Sequence, residues 1–130
     1  MASAEKKLFI LAQEVLEFLE VKDSFIEVNL VKSAVMRSLN RKFRGKNFST
    51  NILSFEAPKA FPKLPKASHR RFLGEIYLDS AYIRRKGENI EHLLIHGVLH
   101  LLGFEHERYD DRIKMARLEK KLLRWQKIRF

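Results

Sequence analysis

The segment from residue 88 to residue 102 constrains the chain more than any other. Ile90, Leu93, Leu94, Ile95, Val98, Leu99, Leu101 and Leu102 lie nearly all round a helix, so that helix has no face to offer to water and must be enclosed by other elements. A chain of 130 residues can provide the enclosure, because one of this size buries roughly two-thirds of its unfolded surface. Residues 1–130 are therefore read as one domain. The chain has no cysteine, which excludes disulfides and thiolate metal sites and restricts metal ligands to His, Asp and Glu.

The elements that would enclose this helix are legible from periodicity. Between residues 4 and 20, Leu8, Leu11, Val15 and Phe18 form one helical stripe. Phe25 to Val31 alternates as a short strand. Ser33 is placed to cap a second helix carrying Val35, Met36, Leu39 and Phe43, which ends at Gly45 with a basic last turn of Arg37, Arg41, Lys42 and Arg44. Ile52 to Phe55 reads as a strand, Pro58, Pro62 and Pro65 impose a basic loop, and Phe72 to Leu78 reads as a further strand closed by Asp79 and Ser80. A short helical turn runs from Ala81 to Lys86 and stops at Gly87. A terminal helix begins near Asp110 and Asp111 and carries Met115, Leu118, Leu122 and Trp125. The order α-β-α-β-β-α-α-α predicts an α+β fold, a small mixed β-sheet packed with helices, with a metal site on the buried central helix.

The metal expectation comes from histidines. His96, His100 and His106 fall within eleven residues. Positions four apart share a helix face, so His96 and His100 can present two imidazoles to one ion, and Gly103 lets the backbone turn so that His106 can approach from below. Two unpartnered imidazoles on a Leu, Ile and Val helix would cost a few kcal/mol, and one cation satisfies both. Three imidazoles with an open fourth position describe a catalytic zinc-type site. His92 lies two turns from His100, too far for one ion to join both, and is read as a group supporting a ligand or touching substrate, or as the exposed start of the helix. His69, in the basic loop, is expected to be exposed.

Twenty-six Lys and Arg against sixteen Asp and Glu leave a formal charge of +10. Such a balance favours polyanionic partners, nucleic acid first. No stretch approaches the roughly twenty apolar residues of a membrane span. Leu8 to Leu11 are followed by Gln13 and Glu14 without a small-residue cleavage site, so a secretion signal is not expected. The expected setting is intracellular.

The spacing of His96, His100, Gly103 and His106 is also that of metzincin proteases, whose first histidine is followed by a general-base glutamate. Here that residue is Gly97, which removes the proton acceptor that peptide hydrolysis needs. The string His96-Gly97-Val98-Leu99-His100-Leu101-Leu102-Gly103-Phe104-Glu105-His106 more closely resembles the signature of the YbeY endoribonucleases, bacterial ribosomal RNA maturation factors, with Glu105 where that family usually has Asp. Upstream, the run from Leu39 to Phe55 resembles the family's segment that opens Leu-Asn-x-x-[Tyr/Phe]-Arg-Gly-Lys and closes Val-Leu-Ser-Phe, with Asn47 at a position commonly acidic. Leu73-Gly74-Glu75-Ile76 resembles a third block. The likeness covers roughly residues 25 to 125, and the stretch from Asp79 to His92 looks shorter than usual.

The resemblance implies a single-strand-specific endoribonuclease acting in ribosomal RNA maturation, including the 3′ end of 16S ribosomal RNA, and in ribosome quality control. It implies His96, His100 and His106 as ligands of one Zn2+ per chain and Arg44 as the basic residue needed for cleavage. A guanidinium suits that role, because it holds two phosphate oxygens at once and offsets charge that builds up on attack. Lys46 and Arg41, with Lys63, Lys66, Arg70 and Arg71, are candidate backbone contacts, and Glu105 is a candidate to orient a histidine or accept a proton. Partners implied are single-stranded or ribosomal RNA and ribosomal small-subunit proteins, in a bacterial cytoplasm or an organelle of bacterial origin. Two alternatives stand beside this reading: a zinc metalloprotease-like hydrolase, and a ribosome-associated module whose metal only fixes the fold.

Overall fold

A computed structural model describes residues 3–57, 70–103 and 109–129. Its elements run α1 (Ala4–Phe18), β1 (Ser24–Leu30), α2 (Ser33–Arg44), β2 (Ile52–Glu56), β3 (Arg71–Leu78), α3 (Ser80–Arg85), α4 (Ile90–Leu101) and α5 (Tyr109–Arg129). The fold is α+β, with the element order expected from periodicity. β3 lies between the other two strands, parallel to β1 and antiparallel to β2, which makes the sheet mixed.

Alternation along β3 sends Ile76 and Leu78 to one face, where both are fully buried. On that face lie α1, through Leu8, Leu11, Ala12, Val15 and Leu16, and α4, through Leu94, Ile95, Val98 and Leu99. Burying each such Leu, Ile or Val stabilises the fold by roughly 1.5–3 kcal/mol, so α4, with four of them fully enclosed, is the centre of the core. α5 packs on it through Leu122, which is fully buried, with Leu118 and Trp125 partly so. Met115, Asp110 and Asp111 have side chains outside the described residues.

Two glycines allow these layers to close. A Cβ on Gly97 would stand 2.9 Å from Ile52 Cδ1 and 3.2 Å from Ile76 Cδ1, so its absence lets α4 lie against the sheet. Gly74, at φ +148°, would place a Cβ 2.3 Å from the Phe55 carbonyl oxygen. No side chain fits there.

α2 covers one end of the opposite face. Phe55 projects there together with Tyr77, and the Phe43 ring meets Phe55 edge-on. Several details differ from the sequence reading. The second helix is preceded by Lys32 without a side-chain cap; the Ser33 hydroxyl is engaged by Asp79 instead. Of the apolar residues read on this helix, Val35 and Phe43 are exposed, and the inward positions of α2 are Met36 and Asn40. Phe18 is 40% exposed, resting its ring near Trp125.

Asp79 is the polar centre of the fold. It is fully buried, caps α3 by accepting from Tyr82 N–H at 3.0 Å and accepts from Ser49 Oγ at 2.7 Å. Burial pushes its carboxyl pKa up, but hydrogen bonds from Ser33, Tyr82, Ser49 and Ala81 outweigh burial and hold it below the usual 3.8. Nearby, Asn51 accepts from Ile52 N–H at 2.7 Å and donates to Glu88, while its carbonyl accepts from Asp79 N–H at 3.0 Å.

Several backbone groups on the open edges of both outer strands meet side chains. On β1, Gln13 receives Ile26 N–H and donates to the Ser24 carbonyl, and Glu5 receives Leu30 N–H. On β2 the groups are Asn51 at Ile52 and Arg44 at the Ser54 carbonyl.

Replacing Asp79 by Ala should cost about 1–3 kcal/mol at pH 7 in urea denaturation, for the lost cap and the stranded hydroxyls. A depressed carboxyl pKa stabilises the fold above its unfolded value and loses that contribution as pH falls through the folded one. The gap between parent and variant should therefore narrow below about pH 3.8, and a constant gap down to pH 2 would contradict the assignment.

Candidate active site

Helical spacing on α4 places His92, His96 and His100 along one side. The His96 and His100 rings lie side by side, centroids 5.1 Å apart and planes at 71°. Both line a groove of about 710 Å³ whose opposite wall carries Phe43, Arg44, Ser54 and Phe55. One wall is the buried helix and the other is the edge strand β2 with the end of α2.

Arg44 is the last residue of α2, and Gly45, at φ +70°, ends the helix behind it. Its Nη2 donates to the Ser54 carbonyl at 3.3 Å and its guanidinium carbon stands 5.6 Å from the centre of the Phe55 ring. It is thus held at the groove while remaining exposed. A cation facing a pair of imidazoles across an open groove can receive an anionic group of a substrate.

Glu119, on α5, was missed in the sequence. One carboxylate oxygen bonds His96 Nδ1, and the other lies 3.4 Å from His92 Nε2. A carboxylate only accepts, so Nδ1 of His96 carries the proton in this contact. This is the arrangement by which a carboxylate fixes the tautomer and aim of a metal-binding histidine. Glu119 adjoins Leu118 and precedes Leu122 by three positions, so the apolar stripe that docks α5 also seats its carboxylate. An acid flanking that stripe was the available signal. Its side chain is 16% exposed against 47% for His92.

The remaining predicted residues are spread more widely. Arg41 and Lys46 are exposed and do not line the groove; their backbone closes the turn after α2, with Gly45 N–H on the Arg41 carbonyl. Arg70 lines a separate cleft beside Gln13 and Asp23, and Arg71 begins β3 opposite Ser24. The structure does not bring these two to the histidines. His106, Glu105, His69, Lys63 and Lys66 lie outside the described residues. Among the described residues no group of three His, Asp or Glu side chains is disposed to hold a metal, so the third ligand would have to come from beyond them. His96 and His100 fit a metal as a pair: adjacent imidazoles in a groove, one of them oriented by a carboxylate.

The polar run before β2 proves to be a brace. Asn40, 3% exposed, donates to the Phe48 carbonyl at 2.8 Å, Arg37 donates to Asn47 at 3.0 Å, and Ser49 reaches Asp79. These residues place Arg44 and β2 rather than face the groove. On the far side of Phe55, Tyr77 donates its hydroxyl to Glu75 at 2.9 Å. Burial, that bond and the charges of Glu75 and Glu27 push its pKa up to about 12, so the phenol stays protonated.

Comparison with known proteins places the chain among relatives. The family model described as Endoribonuclease YbeY matches residues 2–126. An Endoribonuclease YbeY of Buchnera aphidicola is 31% identical over 92% of this chain and 86% of its own length; that of Stenotrophomonas maltophilia is 33% identical over 79% and 68%. The Rhodospirillum rubrum protein of the same name is 35% identical over 75% of this chain, which spans 53% of that longer relative. A solution structure of a Thermotoga maritima protein superposes with a TM-score of 0.55 at 26% identity, covering 98% of this chain and 88% of that one. Together with the paired histidines and the arginine that faces them, the match along almost the whole length establishes that the chain belongs to the endoribonuclease YbeY family.

Proposed function

We propose that this protein is a metal-dependent, single-strand-specific endoribonuclease acting on ribosomal RNA in maturation and quality control, in the cytoplasm of a bacterium. The observation that carries the proposal is the groove in which His96 and His100 face Arg44. One Zn2+ per chain would be held by His96, His100 and His106. Bound there, it would supply Lewis acidity, lowering the pKa of a water molecule far below its bulk value, towards about 7.

The chain's own residues supply the rest. Glu119 keeps the Nδ1 proton of His96, so that Nε2 would be the atom offered to the metal. Arg44 receives the scissile phosphate, exchanging its single bond to the Ser54 carbonyl for a bidentate ion pair with two phosphate oxygens. Brought there, the guanidinium offsets the charge that accumulates as the phosphodiester is attacked. The +10 charge draws RNA to the surface. A protease is disfavoured at one atom: a side chain at position 97, where a general-base glutamate would stand, runs into Ile52 and Ile76.

The purified protein should contain about one zinc per chain by elemental analysis and should cut labelled single-stranded ribosomal RNA while leaving casein intact. His100→Ala should lose cleavage yet keep a cooperative melt. Casein digestion without RNA cleavage would overturn the reading in favour of a protease. Collapse of the fold on chelation would favour a purely structural ion.

Arg44→Ala should retain the metal and lose about 10²–10³-fold in cleavage rate, the usual effect of removing one charge-stabilising donor. Parental turnover by this variant would remove Arg44 from the mechanism.

Glu119→Gln should weaken zinc binding about 10–100-fold in competition with a chromogenic chelator, because the amide no longer holds His96 as strongly. Unchanged affinity would show that the carboxylate has no part in orienting the ligand.

A further inference from the structure

The nuclease reading leaves Phe43 unaccounted for. It is 55% exposed, an unfavourable place for a large apolar side chain, yet its ring is not loose. It meets Phe55 edge-on, centroids 5.1 Å apart at 61°, and Phe55 in turn meets Tyr77 at 5.8 Å and 72°. The Tyr77 hydroxyl is tied to Glu75. A row of three rings thus runs from the sheet to the rim of the groove, anchored at its inner end and open to solvent at its outer one.

Cations flank this row. Lys42 Nζ is 5.4 Å from the centre of the Phe43 ring, and Arg44 stands over Phe55. Phe43, Phe55 and Arg44 line the groove that also holds His96 and His100. A propped, solvent-facing ring beside cations matches the needs of an unpaired nucleotide, whose base presents a π face and whose phosphates are anionic. A base within a duplex has both faces covered and could not use the ring.

We propose that the exposed face of Phe43 is a stacking subsite for one unpaired nucleobase of the substrate strand, with the neighbouring phosphates on Arg44 and Lys42. The inference rests on the nuclease reading of this groove, and it makes strand selectivity a property of a named side chain.

Fluorescence anisotropy tests it, using a labelled single-stranded RNA and the same strand with one abasic ribose moved along it. Phe43→Leu keeps apolar bulk against Phe55 but has no aromatic face, and should bind about 5- to 150-fold more weakly than the parent. Phe43→Trp should bind like the parent. Phe48→Leu, at a ring 59% exposed but outside the groove, should bind unchanged. An abasic ribose at one position should weaken the parent by a similar factor and leave Phe43→Leu no worse. At that position 2-aminopurine should be quenched by the parent and not by Phe43→Leu. Parental binding by Phe43→Leu, or a loss that adds fully to every abasic position, overturns the subsite alone if the parent binds and cuts RNA. A parent that neither binds nor cuts RNA overturns the nuclease reading, and the subsite with it.

Discussion

The contact between α4 and the sheet at Gly97 is the constraint on which the rest depends. With hydrogen in place of a side chain, the helix backbone comes down onto Ile52 and Ile76, and this closeness lets Leu94, Ile95, Val98 and Leu99 be enclosed. It also fixes how far the histidines stand from β2. A larger residue at 97 would lift the helix, open the core and widen the groove in one displacement, because a close-packed interior does not absorb a methyl group locally. Core and site are therefore one packing problem.

The groove draws its parts from three separate docking events. α4 supplies the imidazoles, α5 supplies Glu119 behind them, and α2 with β2 supplies Arg44. The arginine is placed indirectly: Asn40, Ser49 and Asn51 fasten the turn between α2 and β2 to the buried Asp79 and its surroundings. Such braces hold functional side chains on rigid elements rather than on loops.

Much of this was legible in the sequence, for identifiable reasons. α4 was found because apolar residues all round a helix admit one environment, and the histidine spacing because i and i+4 are neighbours on any helix. α2 was read less well. Of the apolar residues read on it, Met36 is buried but Val35 and Phe43 are exposed, and the inward positions include the polar Asn40, satisfied by a backbone carbonyl that sequence does not reveal. Ser33 looked like a cap, but its hydroxyl answers to Asp79, forty-six positions later. Glu119 escaped for the same reason, since it meets His96 from a different helix. Local rules reported what lies within a turn or two; partners chosen by tertiary packing were out of their reach.

The side chains that close the sheet's outer strands have a bearing on solubility. An open strand edge invites pairing with another chain. On β1 the screen is Gln13 and Glu5 from α1, which have no other assignment. On β2 Arg44 covers the Ser54 carbonyl, so the group proposed to receive phosphate also shields part of that edge. Loss of this one guanidinium would leave the Ser54 carbonyl bare on an edge strand, and low yield of a variant there would have a folded-state explanation separate from catalysis.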